Sequence, residues 1–334
     1  MKQTKLNGKM IAAAGALTVV AWSTANATEF GASAWEQKPG VSIGAAAAAP
    51  PPGIYMFDQL LTYNSKIVGP GAPAVGGSPT KAQAAVGGSG FVFVPGWSFL
   101  GATYDAVIVL PFAIADAGAP LNVQQYGMHN TFIVPVELSW KLGDSGFFVK
   151  GGFGMYVPNG SISGPSGLSN VGNPWWTFQP SLTVSYFKDG WNLTANLFEE
   201  FNTKNTVTGY TSGNVFHVDL TATKQFGKWT IGPVGYYAGQ VTSDKSSAFY
   251  GGAIASKRWD LYAAGALVGY DFGTVSLNVW ALNEFSARAS GGTAAPGIPD
   301  TAAITKGWTA FASLSYRLWA PDEPAPRKNP LIRK

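Results

Sequence analysis

From Ile54 to Trp319 the chain keeps returning to one pattern, apolar and polar side chains alternating over roughly a dozen residues before turn residues intervene. In one run Trp191, Leu193, Ala195 and Leu197 share a face opposite Asn192, Thr194 and Asn196. In another Phe216, Val218, Leu220 and Ala222 oppose His217, Asp219, Thr221 and Thr223. A period of two means a strand with one face in an apolar medium. Twelve such runs fall at 54–65, 91–101, 103–114, 130–142, 146–157, 175–187, 191–202, 213–226, 229–242, 258–272, 275–288 and 306–319. Their links alternate in length. Gly143-Asp144-Ser145, Lys188-Asp189-Gly190, Gly227-Lys228 and Gly273-Thr274 are tight, whereas the intervening links are long and rich in Gly, Ser, Pro and Asn. Short turns at one end and long loops at the other predict an all-β, antiparallel, up-and-down transmembrane barrel of twelve strands. An even count puts both ends of the barrel on the short-turn, periplasmic side.

Composition narrows the alternatives. Charged residues make up 12% of the chain and aromatics 13%, against an ordinary apolar fraction of 46%. So little charge argues against disorder, a coiled coil and a nucleic-acid partner. Beyond the first thirty residues no stretch approaches the roughly 20 apolar residues of a spanning helix. A soluble sandwich would use strands about half this long. Aromatics bracket the runs: Trp140, Tyr186, Trp191, Trp229, Tyr270 and Trp319 near the short turns, and Trp176, Phe201, Phe216, Tyr237, Tyr262 and Phe285 near the long loops. Such rings favour the two headgroup layers.

The N-terminus has the order of an export signal. Lys2, Lys5 and Lys9 precede an apolar run from Met10 to Trp22, and Ala25-Asn26-Ala27 supplies the cleavage site. Losing those three lysines takes the formal charge from +4 to +1. The predicted organisation is a signal peptide at 1–27, a leader at 28–52 that is periplasmic or plugs the lumen, a barrel at 53–319 and a tail at 320–334. The expected location is the outer membrane. The expected partners are its bilayer, the barrel-assembly machinery and small solutes, with a homo-oligomer left open.

The sequence resembles the outer-membrane family named for the meta-pathway of phenol degradation. The resemblance is carried by Pro50-Pro51-Pro52-Gly53-Ile54-Tyr55, Gly152-Phe153-Gly154-Met155-Tyr156-Val157-Pro158-Asn159-Gly160, and Gly190-Trp191-Asn192-Leu193-Thr194-Ala195-Asn196. It continues through Phe201-Asn202-Thr203-Lys204-Asn205, Ser212-Gly213-Asn214-Val215-Phe216-His217-Val218-Asp219, Gly227-Lys228-Trp229-Thr230-Ile231-Gly232 and Thr242-Ser243-Asp244. The region 66–130 carries no such pattern. The resemblance implies a transporter of hydrophobic or aromatic compounds, similar to an amyloid-secretion channel. Secretion or a structural role is the alternative, and an outer-membrane enzyme a more distant one.

Residues that could carry chemistry are few. The two histidines, His129 and His217, lie near Asn130 and Asp219, but no G-x-S-x-G elbow accompanies them. The donor set does not suggest a metal, and no nucleotide loop is present to power transport. The expectation is therefore a passive channel, without catalytic residue or cofactor. Alternation puts Asp105, Glu137, Lys141, Lys150, Glu200, His217, Asp219, Glu284, Arg288 and Arg317 on the lumen face, with Phe198, Tyr236 and Trp280 as lumen aromatics. Buried charges of this kind are expected to be paired or hydrated. Gly152, Gly154 and Gly232 are expected to leave smooth wall against which the leader could lie.

Overall fold

The computed structural model describes residues 32–33, 35–75, 81–119, 123–164, 170–252, 255–292 and 300–321. The signal segment, most of the tail and the residues at 28–31 and 34 lie outside these. Twelve long strands form the wall: β1 (Gly53–Val68), β2 (Lys81–Val94), β3 (Ala102–Ala117), β4 (Thr131–Lys141), β5 (Phe147–Val157), β6 (Thr177–Lys188), β7 (Trp191–Asn202), β8 (Val215–Phe226), β9 (Trp229–Gln240), β10 (Arg258–Asp271), β11 (Val275–Ser290) and β12 (Ala303–Trp319). Each pairs with its sequence neighbours, and β12 returns antiparallel to β1, with Ile304 opposite Val68 and Arg317 opposite Tyr55. Closure leaves the wall without a free edge. Short strands at Ala32–Ser33, Ser98–Phe99 and Val123–Met128 add to this wall.

Tight links close one end at 142–146, 189–190, 227–228 and 272–274, while those at 69–80, 118–130, 158–176, 203–214, 241–257 and 291–302 are longer. At the tightest, Asp189 and Gly190 both take positive φ (52° and 74°). That is the type I′ geometry whose twist matches the flanking strands. Leu193, Leu220, Ile231, Val268 and Val279 are exposed on the outer face, while Thr194, Asn196, Thr221 and Thr223 are buried inside.

Two departures from simple alternation matter. The second strand was expected at 91–101 but runs from Lys81 to Val94. Its first half, Lys81 to Gly90, is mostly Ala, Gly and Ser, so no large side chain marks the period. Pro95-Gly96 then ends it, and the short strand Ser98–Phe99 folds back on Ala102–Thr103 through a turn at Leu100-Gly101. The second departure corrects Arg288. The pairing of β10 with β11 slips between Tyr262 and Ala263, setting Glu284 opposite Ala263 and Ser286 opposite Tyr262, with Phe285 as the extra residue. A bulge flips the parity beyond it. Glu284 stays inward, but Arg288 leaves the lumen face and pairs outside with Asp260 at 3.1 Å.

Candidate functional site

The barrel interior is filled by the chain's own leader. Gly/Ala/Pro-rich chain has no internal ladder, so its backbone N–H groups need partners from elsewhere. Glu200 on β7 accepts from the N–H groups of Glu36 (2.9 Å) and Gln37 (2.8 Å). Asp219 on β8 accepts from Gly40 (2.9 Å) and Ser42 (3.0 Å). Thr221 Oγ1 takes Gly44 N–H, and Ser185 Oγ takes Ala47 N–H, each at 2.9 Å. These contacts descend the wall of β6, β7 and β8 from its long-loop end. Above them, Ala32–Ser33 pair in parallel with Ala303–Ile304 at the long-loop end of β12. The leader thus threads the lumen from the long-loop mouth towards the short-turn end.

Its firmest anchor is Lys38. The Nζ donates to Glu284 (2.7 Å) and to Tyr236 OH (3.0 Å), and lies 4.6, 4.2 and 5.0 Å from the ring centres of Trp35, Tyr63 and Tyr236. Tyr63 and Tyr236 also donate to Glu284, at 2.7 and 2.6 Å. A desolvated cation among ring faces and a carboxylate is held by both cation–π and ionic attraction. Beside it Gly40 takes φ +91°, and a Cβ there would come within 2.8 Å of the Tyr236 ring. Only glycine fits this close approach. Trp280, stacked on Phe311, donates to the Gly40 carbonyl at 3.0 Å.

Asp105, Glu137 and Lys150 meet on the opposite side of the wall. Lys150 Nζ lies 3.1 Å from Asp105 and 3.0 Å from Glu137, and among the described residues none of the three hydrogen-bonds to the leader. Lys141 and Arg317 sit at the short-turn rim. Lys141 stands 3.5 Å from Asp144, while Arg317 donates to the Pro52 carbonyl and lies over Tyr55. His217 is fully buried, stacked on Phe198 with ring centres 4.4 Å apart, and its Nε2 is 3.3 Å from Glu200. The inward glycines of β5 do not make room for the leader: a Cβ at Gly154 would meet the Phe132 ring at 2.7 Å, and one at Gly152 would meet Ser181 Oγ at 2.7 Å. His129, in the loop after β3, is buried edge-on to Tyr156, and burial pushes its imidazole down to about 4.

The family described as MetA-pathway of phenol degradation matches residues 64–295, more than two thirds of the chain. The chain belongs to this family. Among solved structures, the COG4313 outer membrane channel from Pseudomonas putida F1 has the same fold, with a TM-score of 0.66 at 11% identity over 84% of this chain and 99% of that one. The translocator domain of the autotransporter NalP from Neisseria meningitidis gives 0.46 at 11% identity, over 81% and 91%. A mutant of the TodX monoaromatic hydrocarbon channel gives 0.41 at 9%, over 90% and 98%. No curated protein sequence matches. The closed barrel and the large apolar side chains exposed on its outer face support placement in the outer membrane.

The stretches that carry the family resemblance have separable jobs. In Phe201-Asn202-Thr203-Lys204-Asn205, the Asn205 side chain accepts from Val207 and Thr208 N–H, closing a loop turn. Asp244 of Thr242-Ser243-Asp244 accepts from Tyr210 OH (2.6 Å), Gly213 N–H (2.7 Å), Gln240 (2.8 Å) and Ser256 N–H (3.0 Å), stapling two long loops together. His217-Val218-Asp219 faces the leader. Sequence reasoning missed the leader's own contribution: Glu36, bound by Asn130 (3.1 Å) and Asn173, and Lys38. The signal was available. Trp35-Glu36-Gln37-Lys38 is a clustered aromatic and charged patch in a segment otherwise built mainly of small residues and proline.

Proposed function

We propose that this chain is a passive outer-membrane channel for small hydrophobic or aromatic molecules, and that residues 35–52 are its gate. The observation that carries the reading is the incompleteness of the lumen wall. Glu200 and Asp219 are buried and accept their backbone N–H donors from the leader, while buried Glu284, held by Tyr63, Tyr236 and Gly307 of the wall, takes its cation, Lys38, from the leader. A carboxylate in a dry interior must be paired or hydrated, so withdrawing the leader would admit water to the bore. The family's phenol-degradation context supports aromatic molecules as cargo. The buried stacking of His217 on Phe198 supports a wall role over catalysis. Export through cleavage after Ala27, and assembly guided by the aromatic end of β12 at Trp319, complete the proposal.

Deleting residues 30–50, while keeping the signal and β1, tests it. The variant should show a higher single-channel conductance in planar bilayers and faster phenol influx into liposomes than the intact protein. A folded deletion variant with unchanged conductance and influx would return the leader to a structural filler. If neither protein admits phenol, the uptake reading fails and secretion takes its place.

A further inference from the structure

A second candidate site lies on the outside of the wall. The outward faces of β1, β2, β3, β11 and β12 line an open groove of about 560 Å³, of the size small-molecule sites usually have. Its sides are Leu60, Phe112, Leu277 and Leu314, and Gly87 lies in its floor. The groove also holds a carboxylate. Gln59, next in β1, points inward and donates to the leader carbonyl of Val41, so alternation turns Asp58 towards lipid. Asp58 Oδ1 accepts from Ser89 Oγ at 2.6 Å. Its Oδ2 has only a long 3.5 Å contact from Tyr316 OH, which lies nearer Met56 Sδ at 3.0 Å.

Two features set this groove apart from the rest of the apolar face. An ionisable side chain facing hydrocarbon is costly, and such residues are retained where they serve a ligand or pathway. The glycine is equally unforced. A Cβ at Gly87 would meet only Leu60, at an ordinary 3.8 Å, so packing does not demand glycine there. Glycine weakens a strand interior, and one that packing does not require commonly marks a place where something else approaches. An acyl tail would fill the apolar sides but has no donor for Asp58. A ring bearing a hydroxyl satisfies both.

We infer that this groove binds a small phenol-like molecule arriving from the bilayer, its ring against Leu60, Phe112 and Leu314 and its hydroxyl donating to Asp58 Oδ2. The assignment of ligand class rests on the uptake reading above; the site itself rests on Asp58 and Gly87. Binding of 4-fluorophenol to the full-length protein in nanodiscs, followed by fluorine NMR, tests it separately from transport. Saturable binding is expected. Gly87→Leu should abolish it, and Asp58→Asn should weaken it about tenfold, the loss expected for a hydrogen bond to a charged acceptor. Fluorobenzene, which lacks the hydroxyl, should bind weakly to the native groove. Leu60→Trp fills the groove from the other side and serves if Gly87→Leu does not fold. Binding that survives both filled variants overturns the site. Equal binding of fluorobenzene, or displacement of 4-fluorophenol only by added phospholipid, assigns the groove to acyl chains and overturns the ligand. Phenol influx into liposomes, measured on the same proteins, reports the uptake reading independently.

Discussion

The two sides of the lumen wall handle buried charge differently. Across β3, β4 and β5, Asp105 and Glu137 share Lys150, a cation of the wall itself. Across β7, β8 and β11, Glu200, Asp219 and Glu284 face no lysine or arginine of the wall within ion-pair distance among the described residues; Glu284 pairs with Lys38 of the leader, and Glu200 and Asp219 accept leader N–H groups. One side is complete as a barrel. The other is complete only with a segment that precedes the barrel in sequence. A channel built this way keeps a rigid half and a half whose electrostatics depend on a removable part.

The largest effect should come from breaking the self-contained side. Lys150→Met leaves two adjacent buried carboxylates without their cation, a loss of about 3–5 kcal/mol when one member of a buried ion group is removed. The heat-modified gel shift should move to lower temperature, while single-channel conductance stays that of the native protein because the leader's contacts are untouched. A conductance rise equal to that of the leader deletion would mean the two sides are not separate.

A smaller stability change with the opposite readout is expected from Asp219→Ala. It removes the acceptor for Gly40 and Ser42 N–H and should cost about 1–3 kcal/mol, the price of leaving such donors unsatisfied. Most of that loss falls on the seated leader, so conductance and phenol influx should rise with little shift in barrel unfolding. Unfolding that shifts as far as in Lys150→Met, without added conductance, would make Asp219 a wall residue like Asp105.

This contrast also shows what the sequence could and could not disclose. The wall was legible because twelve strands repeat one period and the turns carry their own chemistry, as at Asp189-Gly190. Strand β2 was displaced because Lys81–Gly90 has too few large side chains to show a period. Arg288 was misplaced because a bulge is a single extra residue, Phe285, which leaves no mark in alternation read from one strand. Parity says which face a carboxylate such as Glu284 occupies, but not what meets it there. The leader has no period at all, so its path follows from long-range hydrogen bonds that a linear reading has no means of pairing.

The loops give a pH-dependent test of order outside the bore. Burial pushes the Asp244 carboxyl up to about 6 from 3.8, against the pull of hydrogen bonds from Tyr210, Gly213, Ser256 and Gln240. A group whose value is raised in the closed loops takes up a proton more readily there than in opened ones. Proton-linked stabilisation of the loop staple is therefore full below about 3.8 and lost as pH rises through about 6. Intrinsic-rate-corrected hydrogen exchange in 203–214 and 241–257 should slow from pH 7.5 to pH 5, and Asp244→Asn should flatten the dependence. A dependence that persists in the variant would assign it to another group.

The smallest effect is expected at Arg288, and its smallness is informative. Had alternation held, Arg288 would face the bore as a buried cation near Glu284, and its loss would rival that of Lys150. The slip at Tyr262 and Ala263 instead sets it outside, 70% exposed and 3.1 Å from Asp260 near the long-loop rim. An exposed pair of this kind contributes about 0.2–1 kcal/mol, and salt screens it. Arg288→Ala should therefore leave conductance unchanged and shift unfolding only slightly, with the difference vanishing at high ionic strength. Deleting Phe285 would remove the bulge while keeping Glu284 opposite Ala263 inside and Arg288 opposite Asp260 outside. That variant, like Arg288→Ala, should leave conductance unchanged, and a rise in conductance would mean that β11 shifts its register and carries Glu284 away from Lys38.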